Sequence, residues 1–288
     1  MKMDFKNVKL SDLTKEQLID VIKFQRRTIN SQENFLINIS HDLRSPVNSI
    51  LSVLQCLKYL NTDNSKEVKE KTNEYRKIIK RNSLKIIKLI DNLIDTTKLE
   101  GDNYHLNKTN LDIVNVVESI VDSIEVYANE KKINIIFDTN VEEFMINADL
   151  EAVDRIVMNL LSNAIKFSPV DEVIEVTVNA EENNVKISVK DNGIGIAEEE
   201  QKKIFNRFEQ ATNSKRVEGK GSGIGLDLVS YLVKSHGGKI QLNSKLNEGS
   251  EFIVTLPVGK LSEDKENHEL MSRNKVEQLE IEFSDIYL

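Results

Sequence analysis

Two adjacent residues in the run NISHDLRSP, His41 and Asp42, are of the types that nucleophilic catalysis uses. An imidazole attacks an electrophile through one ring nitrogen while a neighbouring carboxylate takes the proton from the other. A second group stands in DRIVMNLLSNAIKF, where Asn159, Asn163 and Lys166 recur at i, i+4 and i+7 beside an apolar stripe of Ile156, Val157, Leu160, Leu161 and Ile165. Two amide oxygens one helical turn apart suit a magnesium ion that bridges phosphates, and the lysine adds positive charge beside them. The third group is glycine. Six of the eleven glycines fall in two short boxes, DNGIGI with Asp191, Gly193 and Gly195, and GKGSGIGL with Gly219, Gly221, Gly223 and Gly225. Glycines ahead of a helix let backbone amides approach a phosphate that also gains from the positive helix end. Neither box fits a Walker loop or a dinucleotide fingerprint. Each group alone has a plain alternative, a surface histidine on a bent coiled coil or a solvated helix face; their combination points to phosphate chemistry.

The elements that must hold these groups follow from periodicity. Apolar and seam positions from Leu18 through Ile22, Ile29, Leu36, Ile39, Leu43 and Ile50 to Leu60 alternate in steps of four and three, the seam of one long helix. His41 lies between Ile39 and Leu43, on the face away from a partner helix. Pro46 predicts a kink one turn beyond it, because proline removes a hydrogen bond and crowds the preceding turn. Thr14 and Gln17 form a capping-box pair, with Leu13 placed to staple onto Leu18, so the helix is expected to begin within this chain. The polar NTDNS of residues 61–65 ends it, and a second seam runs from Val68 to Thr96. A hairpin with one apolar face is best buried by pairing two copies into a four-helix bundle, so a homodimer is expected.

Near residues 100–105 the heptads stop. A helix from Leu111 to Lys131 is expected, then strands at 133–138, 144–148, 173–179, 185–191, 239–243 and 251–256, with helices at 149–167 and 224–236, an α/β layer on a mixed sheet. The fold class is therefore α+β: a helical-hairpin dimerisation domain followed by an α/β sandwich. Past Leu256 comes the charged spacer LSEDKENHE, read as disordered, and then VEQLEIEFSDIYL. Val276, Leu279, Ile281, Phe283 and Ile286 are many apolar residues for a solvated tail, and Ile281 and Phe283 share a strand face. The segment is expected either to dock on this protein or a partner by adding a strand to a sheet edge, or to be a loose end.

The bulk numbers exclude some classes. A net charge of −8 over 288 residues argues against non-specific nucleic-acid binding, which needs a surplus of Lys and Arg. Cys56, the single cysteine, cannot pair internally and reads as a core filler in a reducing compartment. No run approaches the roughly 18 apolar residues of a membrane span, and the N-terminus lacks a signal-peptide core, so the expected location is cytoplasmic.

Together these runs resemble the kinase core of the sensor histidine kinases of two-component signalling. The acceptor box stands as FLINISHDLRSPVNSI, the N box as NLLSNAIKF, the first glycine box as DNGIGI, the F box as IFNRFEQ and the second glycine box as GSGIGL, in the family's order. The resemblance implies an N-terminal coiled-coil extension at 1–30, a dimerisation and phospho-acceptor domain at 31–100, an ATP-binding domain at 101–258 and a tail at 259–288 beyond the family's usual end. It implies ATP and Mg²⁺ as cofactors, His41 as phospho-acceptor and Asp42 as the group that takes its proton. Asn159 and Asn163 resemble the magnesium and phosphate asparagines, Lys166 the phosphate-contacting lysine and Asp191 the carboxylate that recognises the adenine amino group. Gly193 and Gly195 would shape the adenine pocket. Gly221, Gly223 and Gly225 would end a mobile lid starting near Gln210, Arg207 would steady the γ-phosphate, and Phe205 and Phe208 would anchor the lid in the core.

Two departures stand out. Ser45 replaces the usual threonine or asparagine four residues after the acceptor, a hydroxyl with a freer rotamer that bears on phosphatase action. The front of the chain carries a capped helix where the family places a sensor or membrane span, so the signal is expected through a partner sensor protein or residues 1–30. The implied reaction is autophosphorylation of His41 and relay to an aspartate of a response-regulator receiver domain, within or between subunits according to the turn at Asn61–Lys66. An ATP-hydrolysing switch of the same superfamily would need a glutamate base in the N-box helix, where this chain has Asn159. A non-catalytic scaffold would not need His41, Asp42, Asn163 and both glycine boxes intact.

Overall fold

A computed structural model describes residues 14–59, 66–100, 105–206, 209–211, 223–261 and 274–284. The chain divides into two compact units, residues 1–45 and 46–288. Helix α1 (Lys15–Tyr59) crosses that division and continues through Pro46. In the first unit the capping box forms as its sequence predicts: the Thr14 amide donates to Gln17 Oε1 at 2.9 Å and the Gln17 amide to Thr14 Oγ1 at 3.3 Å. Leu13 lies outside the described residues. Ile22, Ile29 and Leu36, seven residues apart, are exposed, a seam that the single chain leaves uncovered.

The second unit holds the rest of α1, helix α2 (Lys66–Glu100) and the α/β domain. Along α2 the seam positions Val68, Thr72, Tyr75, Ile79, Asn82, Ile86, Leu89 and Leu93 are buried or half-buried, as a 4-3 pattern requires. Cys56, expected in a core, is exposed.

Strand β1 (Thr109–Asp112) pairs antiparallel with β3 (Met145–Ala148) in a small sheet of its own. Leu111, expected to open a helix, is therefore a strand residue, because Asp112 is the cap: its carboxylate accepts from the Val114 amide at 3.1 Å and helix α3 (Ile113–Glu130) follows. The main sheet has the order β2 (Asn134–Thr139), β4 (Val173–Ala180), β5 (Asn184–Asp191), β7 (Ser250–Pro257), β6 (Lys239–Ser244), with only the β2–β4 pair parallel. Inward positions Ile174, Val176 and Val178 of β4 alternate with polar residues, as do Val185, Ile187 and Val189 of β5, so one face is apolar. Helices α3, α4 (Leu150–Phe167) and α6 (Gly225–Ser235) cover it, and a short α5 (Glu198–Gln201) precedes the F box. The 144–148 strand thus stands outside the main sheet.

The C-terminal segment is a helix, α7 (Asn274–Glu282), not a strand. Leu279 and Phe283 stand four apart, on one helical face, and both are buried. That helical spacing won over the strand alternation of Ile281 and Phe283. The spacer at 262–268 lies outside the described residues.

Candidate functional site

On α1, Ile39 is buried while the His41 side chain is 74 % exposed, so the imidazole stands off the packed seam as the heptad register predicts. Its Nδ1 lies 3.4 Å from Asp42 Oδ1, long for a hydrogen bond but on the right nitrogen to take a proton. Nε2 is the ring nitrogen that Asp42 does not approach. His236, by contrast, is engaged on both ring nitrogens. His236 is buried, its Nδ1 donates to the Leu232 carbonyl at 2.8 Å and its Nε2 accepts from the Asp149 amide at 3.1 Å. Burial pushes its pKa down, which keeps it neutral. His105 sits in no comparable setting, and His268 lies outside the described residues.

In the α/β domain, α4 carries the N box. Asp149 caps it, accepting from the Ala152 amide at 3.0 Å, and the predicted stripe Ile156, Val157, Leu160, Leu161 and Ile165 is buried. Asn159, Asn163 and Lys166 share the half-buried face beside it. Asn159 Nδ2 donates to the Arg155 carbonyl at 2.9 Å, which turns Oδ1 away from the helix and onto Gly225. A Cβ at Gly225 would stand 2.4 Å from that oxygen, so only glycine lets the two meet. Gly225 opens α6, whose N-cap Ile224 makes no side-chain cap, and the positive end of a helix favours an anion. An amide oxygen beside a helix N-terminus fits the donor set of a hard cation bridging phosphates.

At the end of β5, Asp191 is buried and Oδ1 accepts from the Gly193 amide at 2.8 Å. Burial raises its carboxyl pKa to about 6, offset in part by the Gly193 and Ser250 amides. A buried carboxylate with capacity left is suited to accept from an amino group, since each oxygen offers two lone pairs. Gly195 has φ +60 and its Cβ would stand 1.9 Å from the Lys245 carbonyl, a close approach that any side chain would block.

The structure thus brings Asn159, Asn163, Lys166, Asp191, Gly193, Gly195, Gly223 and Gly225 into one domain and sets His41 with Asp42 on α1. Lys166 Nζ lies 5.5 Å over the Phe167 ring. Phe205 packs edge-on to Phe252, centroids 6.3 Å apart. Arg207, Phe208, Gly219 and Gly221 lie outside the described residues. Three supports went unread in the sequence. Lys131 Nζ donates to the carbonyls of Ile165, Lys166 and Ser168 at 2.8, 3.1 and 3.2 Å, fixing the end of the helix that carries Lys166, and burial lowers its pKa. Ser244 Oγ joins the Ile196 amide to the Gly249 carbonyl, tying the first glycine box to the β6–β7 turn. Gly249, φ +89, backs directly onto the Asp191 carbonyl; the turn-like NEGS around it was the available signal.

Comparison with known proteins matches residues 31–102 to the His Kinase A (phospho-acceptor) domain and residues 148–260 to the histidine kinase-, DNA gyrase B- and HSP90-like ATPase domain. The sensor histidine kinase WalK of Bacillus subtilis is 28% identical over 83% of this chain and 39% of its own length. The histidine protein kinase DivJ of Caulobacter vibrioides is 27% identical over 86% and 42%. This chain therefore spans about two fifths of the length of these curated relatives. Histidine kinase ThkA, solved in complex with the response regulator protein TrrA, shares the fold with a TM-score of 0.55 at 20% identity, over 86% of this chain and 68% of that one.

Proposed function

Because this chain belongs to the sensor histidine kinases of two-component signalling, we propose that it uses ATP to phosphorylate His41 and relays the phosphoryl group to an aspartate of a response-regulator receiver domain. The observation that carries the reading is the exposed His41 imidazole with the Asp42 carboxylate 3.4 Å from its Nδ1. In the first step Nε2 attacks the γ-phosphorus, an N–P bond forms, the bond to the ADP oxygen breaks and Asp42 takes the Nδ1 proton.

The ATP-binding domain supplies positioning. Asp191 would accept a hydrogen bond from the adenine amino group, with Gly193 and Gly195 forming the pocket wall. Asn159 and Asn163 would hold Mg²⁺, which neutralises phosphate charge and orients the chain of phosphates. Lys166 and Arg207 would add positive charge, and the backbone from Gly221 to Gly225 would meet the phosphates at the start of α6.

The domain limits proposed are 31–100 for the phospho-acceptor hairpin and 101–258 for the ATPase fold. The working form is a homodimer. Besides Ile22, Ile29 and Leu36, the hairpin exposes Val47, Leu51 and Leu54 on α1 and Ile87, Ile90 and Ile94 on α2, each set at helical spacing. Leaving such stripes in water costs too much for a lone chain, and a second copy covers them in a four-helix bundle. Among the described residues no helix is long and apolar enough to cross a membrane; a cytoplasmic location is part of the proposal, because the proposed reaction consumes ATP. Incubation with γ-labelled ATP tests the reading: wild type should gain acid-labile, base-stable phosphate and His41→Gln none, while both bind ATP alike. Equal labelling of the two would assign the acceptor elsewhere.

A further inference from the structure

The stretch of α2 from Tyr75 to Ile90 carries Arg76, Lys77, Lys80, Arg81, Lys85 and Lys88 and no acidic residue. The phospho-transfer reading does not use this basic row, yet the structure covers part of it. Glu280 of α7 accepts from Lys80 Nζ at 2.6 Å, and Glu282 lies 3.5 Å from Lys88 Nζ, whose ammonium also donates to the Glu282 carbonyl. The second pair is largely buried, with side chains 16% and 20% exposed. The apolar residues between and beside these two glutamates belong to the ATP-binding domain. Phe283 is fully buried and stacks on Tyr127 of α3, centroids 4.9 Å apart and planes 26° from parallel, and Leu279 joins the same core while α7 packs on α4. One nine-residue helix and the residue that follows it therefore bridge the basic row of the dimerisation hairpin and the core of the ATP-binding domain.

We propose that the basic row on α2 is a docking surface whose occupant is this chain's own acidic C-terminal helix, and that α7 acts as a strap that must let go before His41 is phosphorylated. The proposal rests on the kinase reading above. Phosphoryl transfer requires the ATP-binding domain to bring the γ-phosphate to His41 and then withdraw so that a receiver can reach the same nitrogen. A single fixed posture cannot serve both steps. A strap that spans α2 and the α3–α4 layer stabilises one posture and slows departure from it. Its charge complementarity names its occupant: the acid residues of the strap face lysines, and its apolar residues face apolar core.

The test uses the full chain carrying Glu280→Lys with Glu282→Lys, which sets like charges against Lys80 and Lys88, and a rescue variant that adds Lys80→Glu and Lys88→Glu. None of these residues touches nucleotide or His41 in the proposed mechanism. Initial labelling of His41 should rise about 5- to 10-fold in the first variant, the range expected for loss of two ion pairs of which one is largely buried, and should return to within about twofold of wild type in the rescue. Hydrogen exchange reads the strap without reference to activity: amides from Leu279 to Phe283 should be slow in wild type, fast in the repelling variant and slow again in the rescue. Unchanged or slower labelling in a repelling variant whose 279–283 amides have become fast would overturn the strap. Amides at 279–283 that exchange in wild type as fast as those of 262–268 would overturn the docking itself. Wild type that takes no label while keeping the exchange pattern would instead sink the kinase reading and leave the docked helix standing.

Discussion

Asp191→Asn isolates an ionisable group of the proposed nucleotide pocket whose environment is strongly altered. In the folded chain its carboxyl titrates at about 6 against an ordinary 3.8, because burial disfavours the charged form more than the Gly193 and Ser250 amides favour it. A folded-state pKa raised above the unfolded value means that the folded chain holds the proton more tightly. The associated stability is fully present below pH 3.8 and is lost as pH rises through about 6. The gap between the two values, at about 1.4 kcal/mol per pH unit, amounts to about 3 kcal/mol. The variant amide does not titrate, so the stability difference between wild type and Asp191→Asn should shift by about that amount, in the variant's favour, between pH 4 and pH 7. Urea unfolding of both proteins across this range, without nucleotide, gives the difference directly, since their other titrating groups cancel. A difference independent of pH would refute the claim that Asp191 is held in a desolvated pocket. With ATP present the amino group of adenine should favour the charged carboxylate, so binding of ATP near pH 6 should release a proton from wild type and none from the variant.

Three further outcomes follow from the same geometry. Asn163→Ala should weaken Mg-ATP binding by about tenfold or more, as loss of a ligand or its support typically does; calorimetry showing the same magnesium-dependent affinity would remove Asn163 from the site. Gly225→Ala places a methyl 2.4 Å from Asn159 Oδ1 and should force that side chain to turn away, so magnesium-dependent ATP affinity should fall far more than magnesium-free affinity in the same titration. Lys131→Met leaves three carbonyls at the end of α4 without their donor; chemical denaturation should show a loss of about 1–3 kcal/mol, and a loss below a few tenths would mean that water replaces the ammonium.

The sequence carried the long-range plan because that plan is periodic. Heptads located α1 and α2, alternation located β4 and β5, and the i, i+4, i+7 spacing put Asn159, Asn163 and Lys166 on one face of α4. The positions of Asp191 at a strand end and Gly225 at a helix start were legible for a different reason, since a glycine box punctuates the chain locally, while the role of Asp191 came from the family resemblance alone. Features that depend on residues distant in sequence were not legible. Leu111 fell to a strand because Ile146 and its neighbours on β3 pair with it. Lys131 looked like one more surface lysine until α3 and α4 were packed together. The tail misled most, since Leu279 and Phe283 satisfy a helical period and Ile281 and Phe283 a strand period over the same few residues. The core beneath Phe283 decided between them.

The identity of the phosphorylated atom is the most direct test of the account. Trypsin should release residues 28–44, TINSQENFLINISHDLR, as one peptide containing a single histidine, His41. After brief exposure of the full chain to Mg-ATP and digestion at alkaline pH, mass spectrometry should find one phosphoryl group on that peptide, located on His41, lost on mild acid treatment and absent when ATP is replaced by ADP. Phosphate on another peptide, or an acid-stable phosphate on a serine or threonine of this one, would contradict the assignment of His41 as the acceptor.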